Sequence, residues 1–104
     1  MVELRQYQRN PVDVAVEFAV KGSSNRLPGR AKDLSIGGMY VQTATPLPFG
    51  SEVVVHVVLP GQKAPMALPA VVRWTRATEG MGLQFGLLGA RETHAITALS
   101  TKAP

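Results

Sequence analysis

Cysteine is absent from this chain of 104 residues, which excludes disulfide bonds, cysteine-ligated zinc, iron–sulfur clusters and thiol catalysis. Long hydrophobic runs are also missing. The longest, Val53–Leu59, is interrupted by His56 and is far too short to cross a bilayer. The first residues lack the apolar stretch of a signal peptide. The sequence therefore predicts a cytoplasmic protein without membrane insertion.

Groups that serve catalysis are scarce. The chain has two histidines, His56 and His94, and neither stands beside a nucleophile or at the spacing of a metal pair. The seven carboxylates are dispersed, and no phosphate-loop or dinucleotide fingerprint occurs. This inventory predicts a binding protein rather than an enzyme, with no metal site and no cofactor.

Charge and aromatic content limit the classes of binding partner. Eleven Lys and Arg against seven Asp and Glu give a net charge of +4, which favours anionic partners. No block of like charges forms a nucleic-acid tail. The six aromatic residues fall mostly on positions predicted to point inward, so no exposed platform for stacking bases is expected. We accordingly expect no nucleic-acid partner.

Period-two alternation of hydrophobic residues predicts a small all-β domain. The predicted strands cover residues 12–20, 26–33, 39–43, 52–59, 67–76 and 81–86, and the predicted helix follows residue 89. Pro28 and Gly29 make the second a weak or edge strand, and Trp74 shares the core face of the fifth with Val72. Closure removes exposed edges, so the expected fold is a six-stranded antiparallel β-barrel with a short C-terminal helix. One domain is predicted over 1–104: a flexible ligand-binding segment 1–10, a barrel 11–88 and a helix 89–101.

Two arginines, Arg5 and Arg9, precede the first strand with three residues between them. Guanidinium groups bind phosphate bidentately, contact the O6/N7 edge of guanine and stack on aromatic rings. Such a pair is suited to a ligand with two anionic or two purine groups. A solvated basic segment is the alternative.

The second motif is the run from Asp33 to Gly38 between the second and third strands. In an extended segment Asp33 and Ser35 project to one face, while Leu34 and Ile36 project into the core. Asp33 is suited to accept hydrogen bonds from N–H groups of a base, and Ser35 to donate to a phosphate or ribose oxygen. Gly37 and Gly38 permit positive φ and close approach of a ligand. An ordinary turn between strands is the alternative.

Taken in order, the two motifs resemble the PilZ domain, a family of bacterial receptors for cyclic di-GMP. The family pattern has R-x-x-x-R before the first strand, matched by Arg5 and Arg9. It has [D/N]-x-S-x-x-G after the second strand, matched by Asp33, Ser35 and Gly38. Later stretches are also similar: Pro46–Val53, Val71–Trp74 and Gly80–Phe85.

The resemblance implies a ligand and its site. Cyclic di-GMP is expected against the barrel exterior, contacted by Arg5, Arg9, Asp33, Ser35, Gly37 and Gly38. A stacking role near the ligand is the alternative for Trp74, whose favoured position is the core. Because the chain contains no output domain, the signal is expected to leave through an unidentified effector protein. Motility, surface attachment and related regulation are the processes that the family implies. We expect a monomer or weak dimer.

Two other functions stay open. A degenerate member of the family would bind only protein and no nucleotide, which intact Arg5, Arg9, Asp33, Ser35 and Gly38 argue against. A small barrel that binds single-stranded nucleic acid is compatible with the charge, but not with the expected lack of an aromatic platform.

Overall fold

A computed structural model describes residues 10–102, with side chains described as far as residue 99. The elements are β1 (Asn10–Val20), β2 (Leu27–Leu34), β3 (Gly38–Gln42), β4 (Glu52–Val57), β5 (Met66–Arg76), β6 (Gly80–Phe85) and α1 (Ala90–Lys102). All six strand pairings are antiparallel and form a closed barrel in the order β1-β2-β3-β6-β5-β4. The predicted fold class is confirmed, and each strand boundary falls within two residues of its predicted position.

The barrel interior is filled by alternate residues of every strand, as period-two patterning requires. On β4, Val53, Val55 and Val57 point inward. The largest fully buried side chains are Phe18, Leu34, Met39, Leu59, Leu68, Met81 and Ile96. Ile96 belongs to α1, which adds this residue and Ala95 to the same core. Burial of these apolar surfaces is the dominant stabilising term.

Strand β2 is not an edge strand, contrary to the prediction from Pro28 and Gly29. It pairs with β1 on one side and β3 on the other. Pro28 lies near its start and pairs with Glu17 of β1, before the ladder to β3 begins at Arg30. The missing N–H of proline therefore costs no hydrogen bond to β3.

The prediction that Trp74 belongs to the core is also wrong. The register of β5 against β6 shifts between Val72 and Trp74, so Arg73 is an extra residue in the ladder. Such a bulge reverses the facing of the residues that follow it. Val72 is fully buried, whereas Trp74 is 43% exposed on the barrel exterior.

Candidate functional site

The β2–β3 loop is fastened by its own serine. Ser35 is only 5% exposed, and its Oγ accepts hydrogen bonds from the backbone N–H groups of Gly37 (3.0 Å) and Gly38 (3.3 Å). The Ser35 N–H donates to the Gly38 carbonyl at 2.9 Å, and the Phe85 N–H donates to the Gly37 carbonyl at 2.9 Å. Ser35 thus holds the turn, a role that the sequence motif does not reveal, and the Gly37 carbonyl ties the turn to β6.

Gly38 serves packing rather than turn geometry. The glycines with positive φ among the described residues are Gly22, Gly50 and Gly61, so neither Gly37 nor Gly38 uses the positive φ that glycine permits. A Cβ at Gly38 would overlap the Leu83 carbonyl oxygen of β6. Close approach of two strands therefore requires this glycine.

The side chains that flank the serine follow the predicted alternation only in part. Leu34 is buried as predicted, but Ile36 is 36% exposed, because the chain leaves the strand after Leu34. Asp33 is half-buried, and its Oδ1 accepts a hydrogen bond from the Tyr40 N–H at 3.1 Å. This contact fixes the carboxylate at the outer surface of the sheet, beside β3.

An aromatic pair stands next to Asp33 on the barrel exterior. The rings of Tyr40 and Trp74 are stacked, with centroids 5.4 Å apart and planes 15° from parallel. They come from β3 and β5, and the intervening strand β6 has glycines beneath them. A Cβ at Gly82 would overlap the Trp74 indole, and one at Gly80 would crowd the Tyr40 ring. The glycines let both rings lie close to the sheet.

The strand registers place these groups in one row across the sheet. Asp33 pairs with Tyr40, Tyr40 with Gly82, and Gly82 with Trp74. Since neighbouring strands are about 4.8 Å apart, the row extends over roughly 14 Å. We call the exterior surface of Asp33, Tyr40, Trp74 and Arg76 the aromatic face.

Cations border the aromatic face. The Arg76 guanidinium carbon lies 5.8 Å from the centre of the Trp74 ring, within cation–π range. On β5, Arg73 Nε donates to Gln84 Oε1. Since Arg76 lies beside the indole, an anionic or π-rich ligand on the ring would meet positive charge.

A second group of charges lies on β1 and β2. Asp13 Oδ1 accepts a hydrogen bond from Arg30 Nε at 2.6 Å and lies 3.5 Å from Lys32 Nζ. The Asp13 carbonyl accepts a further bond from Arg30 Nη2 at 3.2 Å. The Arg30 hydrogen bond lowers the pKa of Asp13 below its ordinary value. These two cations are thereby partly neutralised.

The N-terminal arginines lie outside the described residues. Arg9 directly precedes Asn10, whose Cα pairs with that of Leu34, and the next residue, Pro11, pairs with Asp33. Consecutive Cα atoms are about 3.8 Å apart. Covalent connectivity therefore attaches the segment that carries Arg5 and Arg9 to the edge of the Asp33–Gly38 loop.

Sequence reasoning missed two members of the aromatic face, Tyr40 and Arg76, and favoured a core position over a stacking role for Trp74. One signal was present. Continued alternation after Val72 would place not only Trp74 but also Arg76 on the core face, and an unpaired buried arginine is strongly unfavourable. Arg76 must therefore point outward, which requires a bulge somewhere between Val72 and Arg76.

The chain matches a model of the PilZ domain over residues 3–101. It belongs to the PilZ domain family. No curated protein matched it in a sequence comparison. Within the part of the chain that the structure describes, no helix is long and apolar enough to span a membrane.

Solved PilZ structures share the barrel. The PilZ domain of CeSA from a cellulose-synthesizing bacterium is 26% identical, with a TM-score of 0.69 over 88% of this chain and 93% of that one. The PilZ domain of Escherichia coli YcgR, solved with c-di-GMP, is 21% identical, with a TM-score of 0.73 over 96% and 94%. Bacillus subtilis MotI/DgrA, an inhibitor of motility, is 21% identical, with a TM-score of 0.76 over 97% of this chain and 52% of that one. This chain spans about half the length of MotI.

Proposed function

We propose that this PilZ domain binds cyclic di-GMP on the aromatic face and passes the signal to a partner protein. The observation that carries the proposal is the row of Asp33, Tyr40 and Trp74, with the Arg5–Arg9 segment attached at its Asp33 end. Two PilZ-like structures with similar folds, YcgR and MrkH, contain c-di-GMP, which supports the same ligand class here.

Each group of the row has a chemical role suited to this ligand. A carboxylate such as Asp33 accepts hydrogen bonds from the Watson–Crick N–H groups of guanine. An exposed indole offers a stacking surface, and stacking on an aromatic side chain stabilises binding by about 1–3 kcal/mol per base. Arg76 places positive charge beside the Trp74 ring, where it would attract phosphate.

Arg5 and Arg9 supply the remaining charge. At most about 3.8 Å of chain per residue separates them from Asn10, so both guanidiniums are within reach of a ligand that lies along the row. Arginine binds phosphate and the O6/N7 edge of guanine with the same planar fork. Ser35, Gly37 and Gly38 would act through the turn that they stabilise and through backbone groups near the ligand.

The signal would leave through the N-terminal segment. Binding of a ligand between this segment and the barrel favours the conformations that make both sets of contacts, which changes the surface offered to an effector protein. The proposed activity is binding in the cytoplasm of a bacterium, without catalysis, in motility, attachment or related regulation.

Calorimetric titration tests the proposal. Cyclic di-GMP should bind, while cyclic di-AMP should bind far more weakly because its base presents a different hydrogen-bonding edge to Asp33 and the arginines. GMP should also be weaker, since it has one base and one phosphate. No heat with cyclic di-GMP would favour a protein-only module.

A further titration with a single-stranded oligonucleotide tests the competing function. The reason for excluding nucleic acid, the lack of an exposed aromatic platform, is wrong for Tyr40 and Trp74. Tighter, salt-dependent binding of the oligonucleotide than of cyclic di-GMP would replace the receptor hypothesis.

A further inference from the structure

The exterior of β4 and β5 has many apolar side chains besides Glu52, His56 and Arg73, although the outer surface of an antiparallel barrel in water is ordinarily polar. Because alternate residues of these strands are buried, the others must point outward. The outward residues that carry no polar group, together with the leucine that follows β6, form what we call the apolar face: Val54, Val58, Ala67, Pro69, Val71 and Leu87. Exposure reaches 45% at Val58 and 95% at Leu87.

These residues are contiguous. Val54 pairs with Pro69, and Glu52 with Val71. The Gly86 N–H donates to the Pro69 carbonyl at 2.8 Å, which brings the start of the Leu87 segment against β5. Two shallow hollows flank the face, one of about 370 Å³ bordered by Val58 and the other of about 160 Å³ bordered by Val71. A contiguous exposed patch of this kind is typical of an interaction surface.

Charged residues frame the two ends of the apolar face. At one end Lys21 Nζ lies 3.5 Å from Glu52 Oε1, and at the other Arg26 Nη1 lies 3.3 Å from Glu17 Oε1. His56 stands opposite Glu17 in the β1–β4 ladder. Each end therefore has an acidic and a basic group: Lys21, just after β1, with Glu52 of β4, and Glu17 of β1 with Arg26, just before β2.

This arrangement is complementary to itself. A two-fold axis across the strands would bring Lys21 against Glu17 of a second copy. Val54 and Pro69, which lie midway between the two ends, would then meet their own counterparts. Acid therefore meets base while the apolar residues meet one another, as an isologous interface requires.

We propose that the apolar face is the contact surface of a homodimer, in which two barrels pack sheet against sheet about a two-fold axis. The four framing charges sum to zero, so the face lacks the excess of cations that attracts an anionic lipid surface. The small outward side chains permit the close approach of about 10 Å that is typical of packed sheets. The interface does not involve the aromatic face, and the proposal is independent of nucleotide binding.

Sedimentation equilibrium of the full chain without nucleotide, over a concentration series into the high-micromolar range, tests the dimer. Wild type should dimerise. Val54→Lys, which places a charge at the centre of the interface, should weaken dimerisation about tenfold or more. The matched control is Ala44→Lys, at an exposed loop position beyond β3, which should dimerise as wild type does. Equal melting temperatures of the two variants would show that Val54→Lys still folds.

Charge reversal separates a two-fold contact from general hydrophobic association. Lys21→Glu alone should weaken the dimer. Adding Glu17→Lys should restore it, because the exchanged charges meet again across the axis, whereas adding Glu52→Lys, which re-forms the ion pair only within one copy, should not. A wild type that is monomeric throughout, a Val54→Lys variant that dimerises normally, or failure of the Lys21→Glu/Glu17→Lys variant to restore association would each overturn the proposal.

Discussion

The aromatic face and the apolar face are built on the same six-stranded barrel, yet they differ in how closely they follow its alternation. On the apolar face β4 and β5 keep strict period two as far as Val72, and most outward positions other than Glu52 and His56 are filled by small apolar side chains. The aromatic face arises where β5 departs from the pattern at Arg73 and where β6 has Gly80 and Gly82 in place of side chains. Regular alternation produces a flat surface suited to another protein. The bulge and the glycines produce a place where rings lie against the backbone.

The largest expected difference between the two faces is the loss of protein stability when a glycine in each region is replaced by alanine. Gly38→Ala should lower the free energy of unfolding by about 3 kcal/mol, because its Cβ would overlap the Leu83 carbonyl and force β3 away from β6. Chemical denaturation monitored by tryptophan fluorescence measures this loss.

Gly86→Ala, beside the apolar face, is the matched control. Its Cβ would lie 3.7 Å from Pro69 Cβ, an ordinary contact, so stability should change by less than about 1 kcal/mol. Equal destabilisation by the two variants would contradict the packing account of the Asp33–Gly38 loop.

The next effect concerns Arg5 and Arg9. Replacement of either by alanine should weaken cyclic di-GMP binding by about 1.5–3 kcal/mol, the range of hydrogen bonds to charged groups, which is roughly tenfold to more than a hundredfold in Kd. Arg9→Lys should also lose most of the affinity, since lysine keeps the charge but lacks the planar fork. Calorimetry measures both.

Lys63→Ala is the control for net charge. Lys63 is exposed in the β4–β5 connection, away from the aromatic face, and its loss removes the same single charge. If Lys63→Ala weakened binding as much as Arg9→Ala, affinity would depend on overall charge rather than on the two arginines.

Much of the barrel was accessible from the sequence because its strands repeat one simple pattern. Strict alternation on β4 and the turn residues between strands determine where each strand lies and which face is buried. Asp33, Ser35 and Gly38 locate the loop in the sequence, but they do not predict its internal hydrogen bonds. Ser35 closes the turn by accepting two backbone N–H groups, and this depends on how the chain leaves β2, which no local pattern encodes.

The aromatic face was not accessible because it depends on pairing between distant segments. The stack of Tyr40 on Trp74 requires the β3–β6–β5 order and the bulge at Arg73. A bulge shifts the register of one strand against its partner strand. The residues of β5 alone do not show which strand pairs with them. The role of Gly80 and Gly82 becomes clear only from the fold, in which two aromatic rings lie above them.

Trp74 provides a smaller but more local test of the aromatic face. Trp74→Ala should weaken cyclic di-GMP binding by about 1–3 kcal/mol through loss of stacking, whereas Trp74→Phe should retain a large part of the affinity. Val58→Ala, on the apolar face, should leave nucleotide affinity unchanged. Calorimetry of the three variants checks this, and unchanged affinity in Trp74→Ala would remove the indole from the site.

The smallest effect is expected from Asp13, which holds two cations near the loop. Arg30 chiefly, and Lys32 in addition, lower the pKa of this carboxyl below its ordinary value of 3.8. A carboxyl whose pKa is lower in the folded than in the unfolded state stabilises the fold above the unfolded value and loses that contribution as pH falls through the folded value. The contribution of Asp13 should therefore begin to fall near pH 4 and vanish only below the lower pKa of the folded state. Because the side chain is exposed and screened by solvent, Asp13→Asn should lower the melting temperature only slightly at pH 7 and not at all at the acid end.

At neutral pH the same change frees Arg30 and Lys32, so cyclic di-GMP affinity should rise rather than fall. Melting curves across this pH range, with calorimetry at pH 7, measure both effects. A lower affinity in Asp13→Asn would show that Asp13 orients these cations toward the ligand instead of competing with it.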